Sequence, residues 1–165
     1  MFDPFPFRSP LWLKQITTPI AEYTNSPTLP LHIHEVLFAA FLYQFTLTTV
    51  SPALSSFFFG PKYLKLSYRT RFNWDVHVVS LFQSIVVCAI ALHVAYNDKE
   101  RNAMNWQERV YGYTGGLGLV QAFACGYFLW DLYICTRYIS MFGVGMLAHA
   151  VSALNVYSFG FVSSY

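Results

Sequence analysis

Four long apolar runs divide the chain, at roughly Val36–Phe59, Asp75–Tyr96, Val110–Thr136 and Met141–Tyr165. Each is long enough to cross a bilayer as a helix. None alternates polar and apolar residues with period two, which argues against a transmembrane β-barrel. Since only helices and closed barrels satisfy the backbone in lipid, the pattern predicts an all-α integral membrane bundle of about four transmembrane helices. Pro52 should kink the first helix or end its regular part. Ahead of the first run, residues 1–34 read as irregular, and all eight prolines of the chain fall at or before Pro61. A short interfacial helix is expected near Leu11–Tyr23, where Trp12, Leu13, Ile16 and Ile20 suit a membrane surface. Residues 35–165 then form the helical domain.

Composition supports that reading. Of 165 residues, 55% are apolar and only 11% charged, about half the usual charged share of a soluble domain. A net charge of +2 gives no sign of a nucleic-acid partner. The opening "MFDPFPFRSPLW" places an acid and three prolines where a signal peptide would have a basic start and an apolar core. Cys88, Cys125 and Cys135 all lie in apolar stretches without C-x-x-C spacing, so they read as small buried hydrophobes, with no metal or cofactor signal.

Loop charge gives an orientation. The loop 61–74 carries Lys62, Lys65, Arg69 and Arg71 and no acid, which makes it cytoplasmic by the positive-inside rule. The next loop balances three bases against three acids and falls on the opposite side. The chain is still apolar at Tyr165, which reads as an early stop with further helices expected beyond it.

The helix faces carry the candidate chemistry. In the second run His77, Ser80, Ser84, Cys88 and Ala91 form a small, mildly polar stripe. It reads as a helix-packing seam or as one wall of a polar pocket. In the third run Gly118, Ala122 and Gly126 follow small-xxx-small spacing. The two stripes are expected to pack the second, third and fourth helices together. Gly116-x-Gly118 lacks the third glycine and the preceding strand of a dinucleotide loop.

Asp131 is the one charged residue between Arg109 and Arg137. A carboxylate costs about 2.5–3.5 kcal/mol at a bilayer centre and less near the interface, so it must face protein or water. Tyr127 stands one turn before it. His149 follows in the fourth run, with Ser152 at i+3. Asp131 and His149 lie at similar distances on either side of the turn near residues 138–140, which predicts similar depth and a shared polar pocket of Asp131, Tyr127, His149, Ser152 and Ser80. The alternative is that Asp131 and His149 are hydrogen-bonded packing elements.

The stretches "FNWDVHVVSLFQSIVV", "GYFLWDL" and "MLAHAVSAL" resemble the TLC domain, a multi-pass family that includes ceramide synthases, translocation-associated membrane proteins and lipid-homeostasis proteins. Trp74, Asp75, Val79 and Ser80 match its opening motif, and Gly126, Tyr127, Phe128 and Asp131 its Gly-Tyr-Phe-x-x-Asp signature. The resemblance covers residues 34–160 and is nearest to fungal TLC-domain proteins of unassigned role. It implies the N-terminal part of a bundle of six or more helices, resident in the endoplasmic reticulum. It also implies a protein of lipid homeostasis that binds or senses a membrane lipid. The alternative it raises is an acyl-CoA-dependent sphingoid-base N-acyltransferase, with His149 and Asp131 as candidate catalytic residues. Ceramide synthases carry a His-His pair where this chain reads His149-Ala150, which favours the non-enzymatic reading.

Overall fold

The structure is a computed structural model and describes residues 2–162, apart from the side chain of Val110. The described residues are helix, turn and extended connection, with no strand. After an N-terminal segment, α1 spans Leu11–Tyr23. The four long helices are α2 (Leu29–Phe59), α3 (Tyr68–Asn97), α4 (Gly115–Arg137) and α5 (Ile139–Ser158). All four are long and apolar enough to span a membrane, and the chain is an integral membrane protein.

The ends of these helices differ from the apolar runs for local reasons. α2 begins about two turns before Val36, because Pro30 fits the first turn, whose N–H groups have no helical partner. Within α2 a π-helical turn covers Thr46–Val50, directly before Pro52, and the Ser51 N–H reaches back to the Thr46 carbonyl. The expected irregularity at Pro52 is thus absorbed without breaking the helix. α3 starts at Tyr68 behind the N-cap Ser67, whose hydroxyl accepts from the Thr70 N–H at 3.3 Å. The third apolar run is broken at Gly112–Thr114, so that α4 begins only at Gly115. Thr114 caps it by accepting from the Leu117 N–H, and donates to the buried Asp98 carboxylate at 2.6 Å. α5 ends at Ser158 with a 3-10 turn at Phe159–Phe161; the expected extension of the fourth run to Tyr165 falls outside the described residues.

α4 is the central helix. Its buried residues outnumber those of any other span, and it packs on α2, α5 and, less extensively, α3. The main apolar core joins Ala39, Tyr43 and Leu47 of α2, Val76 and Val79 of α3, and Leu119, Phe123, Trp130 and Ile134 of α4. The small-residue stripe of α4 meets α2, not α3 and α5 as its spacing had suggested. A Cβ at Gly126 would sit 2.6 Å from both the Ala39 Cβ and the Val36 carbonyl oxygen, and one at Gly118 would enter the His32 ring. The reason is that α2 and α4 run closest where α2 carries its own small residue, Ala39, so the two backbones approach without intervening side chains. Ser84 remains exposed on α3.

The connection from α2 to α3 is held by buried polar groups. Ser51 donates to Asp75 at 2.6 Å, and the Tyr63 hydroxyl donates to the same carboxylate at 2.8 Å. The Trp74 indole donates to Ser55 at 3.0 Å. The outward faces of α3 and α5 carry Leu81, Ile85, Leu92, Val144 and Val156, all exposed. Such faces are stable against lipid tails or further helices, not against water.

Candidate functional site

The region around Asp131 is assembled from three helices. On α3, one face presents Asn73, His77 and Ser80; on α4, Tyr127, Asp131 and Cys135 recur at helical spacing and face the same side. α5 closes the third side. Its first turn supplies Met141 and Phe142, and after a break at Gly143 it supplies Met146 and His149. Gly143 has φ 81° and ψ 168°, a conformation that other residues rarely adopt. It redirects α5 so that residues on both sides of the break reach one cavity of about 330 Å³.

Within this cavity the Ser80 and Tyr127 hydroxyls are hydrogen-bonded at 2.9 Å, and Ser80 also bonds the Val76 carbonyl at 3.1 Å. Tyr127 stacks edge-on against the buried Tyr43 of α2, with ring centroids 5.6 Å apart. Asp131 is buried, and the Cys135 thiol lies 3.7 Å from its Oδ1. Of the five residues anticipated for the polar pocket, Asp131, Tyr127, His149 and Ser80 line it together. Ser152 does not: it is exposed, since three residues beyond His149 advance the helix by about 4.5 Å, past the cavity. His77 joins the wall from the α3 stripe. Val76, Ile134, Met141, Phe142 and Met146 make most of the remaining surface apolar, beside Asn73 and Cys135. The arrangement offers a carboxyl, two hydroxyls and two imidazoles to a polar group whose apolar remainder lies along hydrocarbon walls.

A second polar cluster stands near the start of α2. His32 Nδ1 lies 2.7 Å from Glu35 Oε2, and both side chains are fully buried. The other ring nitrogen of His32 is hydrogen-bonded to the Tyr113 hydroxyl, ahead of α4. His34 reaches the Phe7 carbonyl at 2.9 Å and approaches Glu35 Oε1 to 3.7 Å. Burial pushes the Tyr113 phenol up to about 12, so it remains protonated at neutral pH. Gly118 makes room for the His32 ring. The apolar periodicity did not reveal this cluster, because the stretch "LHIHE" reads as the polar end of an irregular segment. The signal that could have exposed it is the i,i+3 spacing of His32 and Glu35, which puts both on one helix face.

The TLC-domain family profile matches residues 73–165, which include most of α3, all of α4 and α5, and the Asp131 cavity. Similar curated proteins carry that domain in their names or come from fungi. A TLC domain-containing protein of Schizosaccharomyces pombe is 38% identical over 154 residues, covering 93% of this chain and 51% of that protein. Topoisomerase I damage affected protein 4 of Saccharomyces cerevisiae is 27% identical over 126 residues, 76% of this chain and 43% of that protein. TLC domain-containing protein 4 C of Dictyostelium discoideum is 26% identical over 142 residues, 82% of this chain and 48% of that protein. The chain spans about half the length of these relatives. No solved structure matches it.

Proposed function

The chain belongs to the TLC-domain family, and on that premise we propose that its Asp131 cavity receives a membrane lipid, which the protein binds or senses as part of lipid homeostasis. One observation carries the reading: a buried carboxyl, two hydroxyls and two imidazoles converge on a cavity whose other walls are mostly apolar and formed by membrane-spanning helices. That division of polar and apolar surface fits an amphipathic ligand, with its headgroup or linkage at Asp131 and its chains along α3 and α5. The acid-free basic loop at residues 61–74 supports a cytoplasmic location for the nearby turn between α4 and α5. The family resemblance favours the endoplasmic reticulum.

The second reading is sphingoid-base N-acylation, favoured by the presence of His149 and Asp131 in one cavity. Against it stands Ala150, which is buried and away from the cavity, where ceramide synthases carry their second histidine. One experiment separates the two. Asp131→Asn and His149→Ala, expressed in cells at wild-type level in the membrane fraction, should each change the lipids that co-purify with the protein. Wild-type protein incubated with a long-chain base and an acyl-CoA should form no amide product. Amide formation abolished by His149→Ala would replace lipid binding with acyl transfer. Unchanged co-purifying lipid in both variants would reduce the cavity to a packing feature.

A further inference from the structure

From the cluster at the start of α2 we infer a zinc-binding site formed by Asp3, His32 and Glu35. One potential ligand atom from each lies within 4.8 Å of the other two. In a tetrahedral zinc site, ligand atoms stand about 3.4 Å apart, given metal–ligand bonds of about 2.0–2.2 Å. The three donors already lie close to that spacing. The His32–Glu35 pair, now 2.7 Å apart, would open by well under 1 Å. An imidazole with two carboxylates is a donor set that zinc accepts, and three protein ligands leave a fourth position for water or a ligand.

A second observation points to a ligand. Glu35 is fully buried, yet its Oε1 has no hydrogen-bond partner among the described residues, and the His34 ring nitrogen stands 3.7 Å from it. A buried carboxylate oxygen without a partner costs about 1–3 kcal/mol or more, and such groups normally signal an ion or water. The surroundings are built for orientation. Tyr113 holds the second nitrogen of His32, and the Phe5 N–H donates to Asp3 Oδ1 at 3.0 Å, with no hydrogen bond to the other Asp3 oxygen among the described residues. Outer partners of this kind fix the tautomer and direction of metal ligands. Asp3, His32 and Tyr113 line a cavity of about 270 Å³ that also carries Arg8 and Lys14. A fourth ligand would come from this cavity, where Arg8 and Lys14 suit an anion or water.

The site is separate from the Asp131 cavity. Tyr43, which touches Tyr127, is about 16 Å along α2 from His32, so failure of either assignment leaves the other standing. It would clip the N-terminal segment to α2.

The test uses the full chain purified in detergent and stripped with chelator. Added Zn²⁺ should bind at one ion per chain by elemental analysis and raise the melting temperature in a concentration-dependent way. Glu35→Gln and Asp3→Asn should each weaken zinc binding by about tenfold or more, the scale of losing even an outer-shell partner. Asp3 is exposed, so Asp3→Asn tests the site without touching the core. His93→Ala, at an exposed histidine of α3, should retain zinc. No stoichiometric uptake, wild-type zinc uptake by both Asp3→Asn and Glu35→Gln, or loss of zinc only in His93→Ala would each overturn the assignment and leave His32–Glu35 as a buried hydrogen-bonded pair.

Discussion

The contact between α2 and α4 makes Gly126→Ala the sharpest perturbation. The added Cβ would lie 2.6 Å from the Ala39 Cβ, 2.6 Å from the Val36 carbonyl oxygen and 3.1 Å from the Ala40 nitrogen. Carbon atoms pack at about 3.5–4.0 Å, so the shortfall is about 1 Å. Two of the three obstacles are backbone atoms, which no rotamer change moves. The helices must therefore separate by about 1 Å, loosening the packing of Ala39, Tyr43 and Trp130. Overpacking of this kind costs about 1–3 kcal/mol. At about 2–4 °C per kcal/mol for a chain of this size, the melting temperature should fall by roughly 2–12 °C. The assay is thermal unfolding in detergent, followed by size-exclusion fluorescence. Gly145→Ala is the control, because a Cβ there meets nothing within 4 Å; it should be neutral or slightly stabilising. Ala39→Gly combined with Gly126→Ala should recover part of the loss, as one of the three obstacles disappears. If Gly126→Ala melts with wild type and with Gly145→Ala, close approach at this point does not hold the bundle together.

Other outcomes follow from single groups. Burial, and then the Asp75 carboxylate, push the Tyr63 phenol up to about 12. The folded state therefore holds this proton more tightly than the unfolded chain, whose tyrosines titrate near 10. The resulting stabilisation is present below about pH 10 and is lost as pH rises toward 12. Tyr63→Phe should flatten the stability profile in that window, and an identical alkaline loss in both proteins would refute this. Thr114→Val should lower stability by about 0.5–2 kcal/mol through loss of the α4 cap, with Thr114→Ser retaining most of it by chemical denaturation. A single cysteine at Lys65, in a background freed of Cys88, Cys125 and Cys135, should react with an impermeant maleimide only from the cytoplasmic side of sealed vesicles; reaction from the lumenal side would invert the topology.

The four spans were legible because lipid leaves a coarse imprint: a long run without charge is enough to announce a helix. Asp131 was legible for the converse reason, as an acid whose insertion cost demands a polar setting. Its neighbours Tyr127, His149 and Ser80 followed from helical spacing and depth. What escaped was pairing between helices. Gly118, Ala122 and Gly126 advertise a close approach but do not name the partner, and the choice of α2 depended on Ala39 and on the line of approach of the two helices. His32 and Glu35 escaped because hydropathy counts each as a penalty, whereas in the structure they are hydrogen-bonded to each other and buried between α2 and the start of α4. The break at Gly143 was hidden because a glycine in an apolar helix is common, and only its backbone angles show that α5 turns there.

The π-helical turn at Thr46–Val50 has a mechanical consequence for α2. One surplus residue in a helical turn rotates everything after it by about 100°. Upstream, Ala39 and Tyr43 look toward α4, and Gln44 accepts from the Trp130 indole at 3.1 Å. Downstream, Ser51 and Ser55 look toward α3, where they meet Asp75 and Trp74. The wide turn acts as a swivel that lets one rod address two neighbours in succession. Deleting a single residue from it would straighten the register and swing the Ser51 and Ser55 hydroxyls away from α3, so Asp75 would lose its latch although every side chain that forms the latch remained in the sequence.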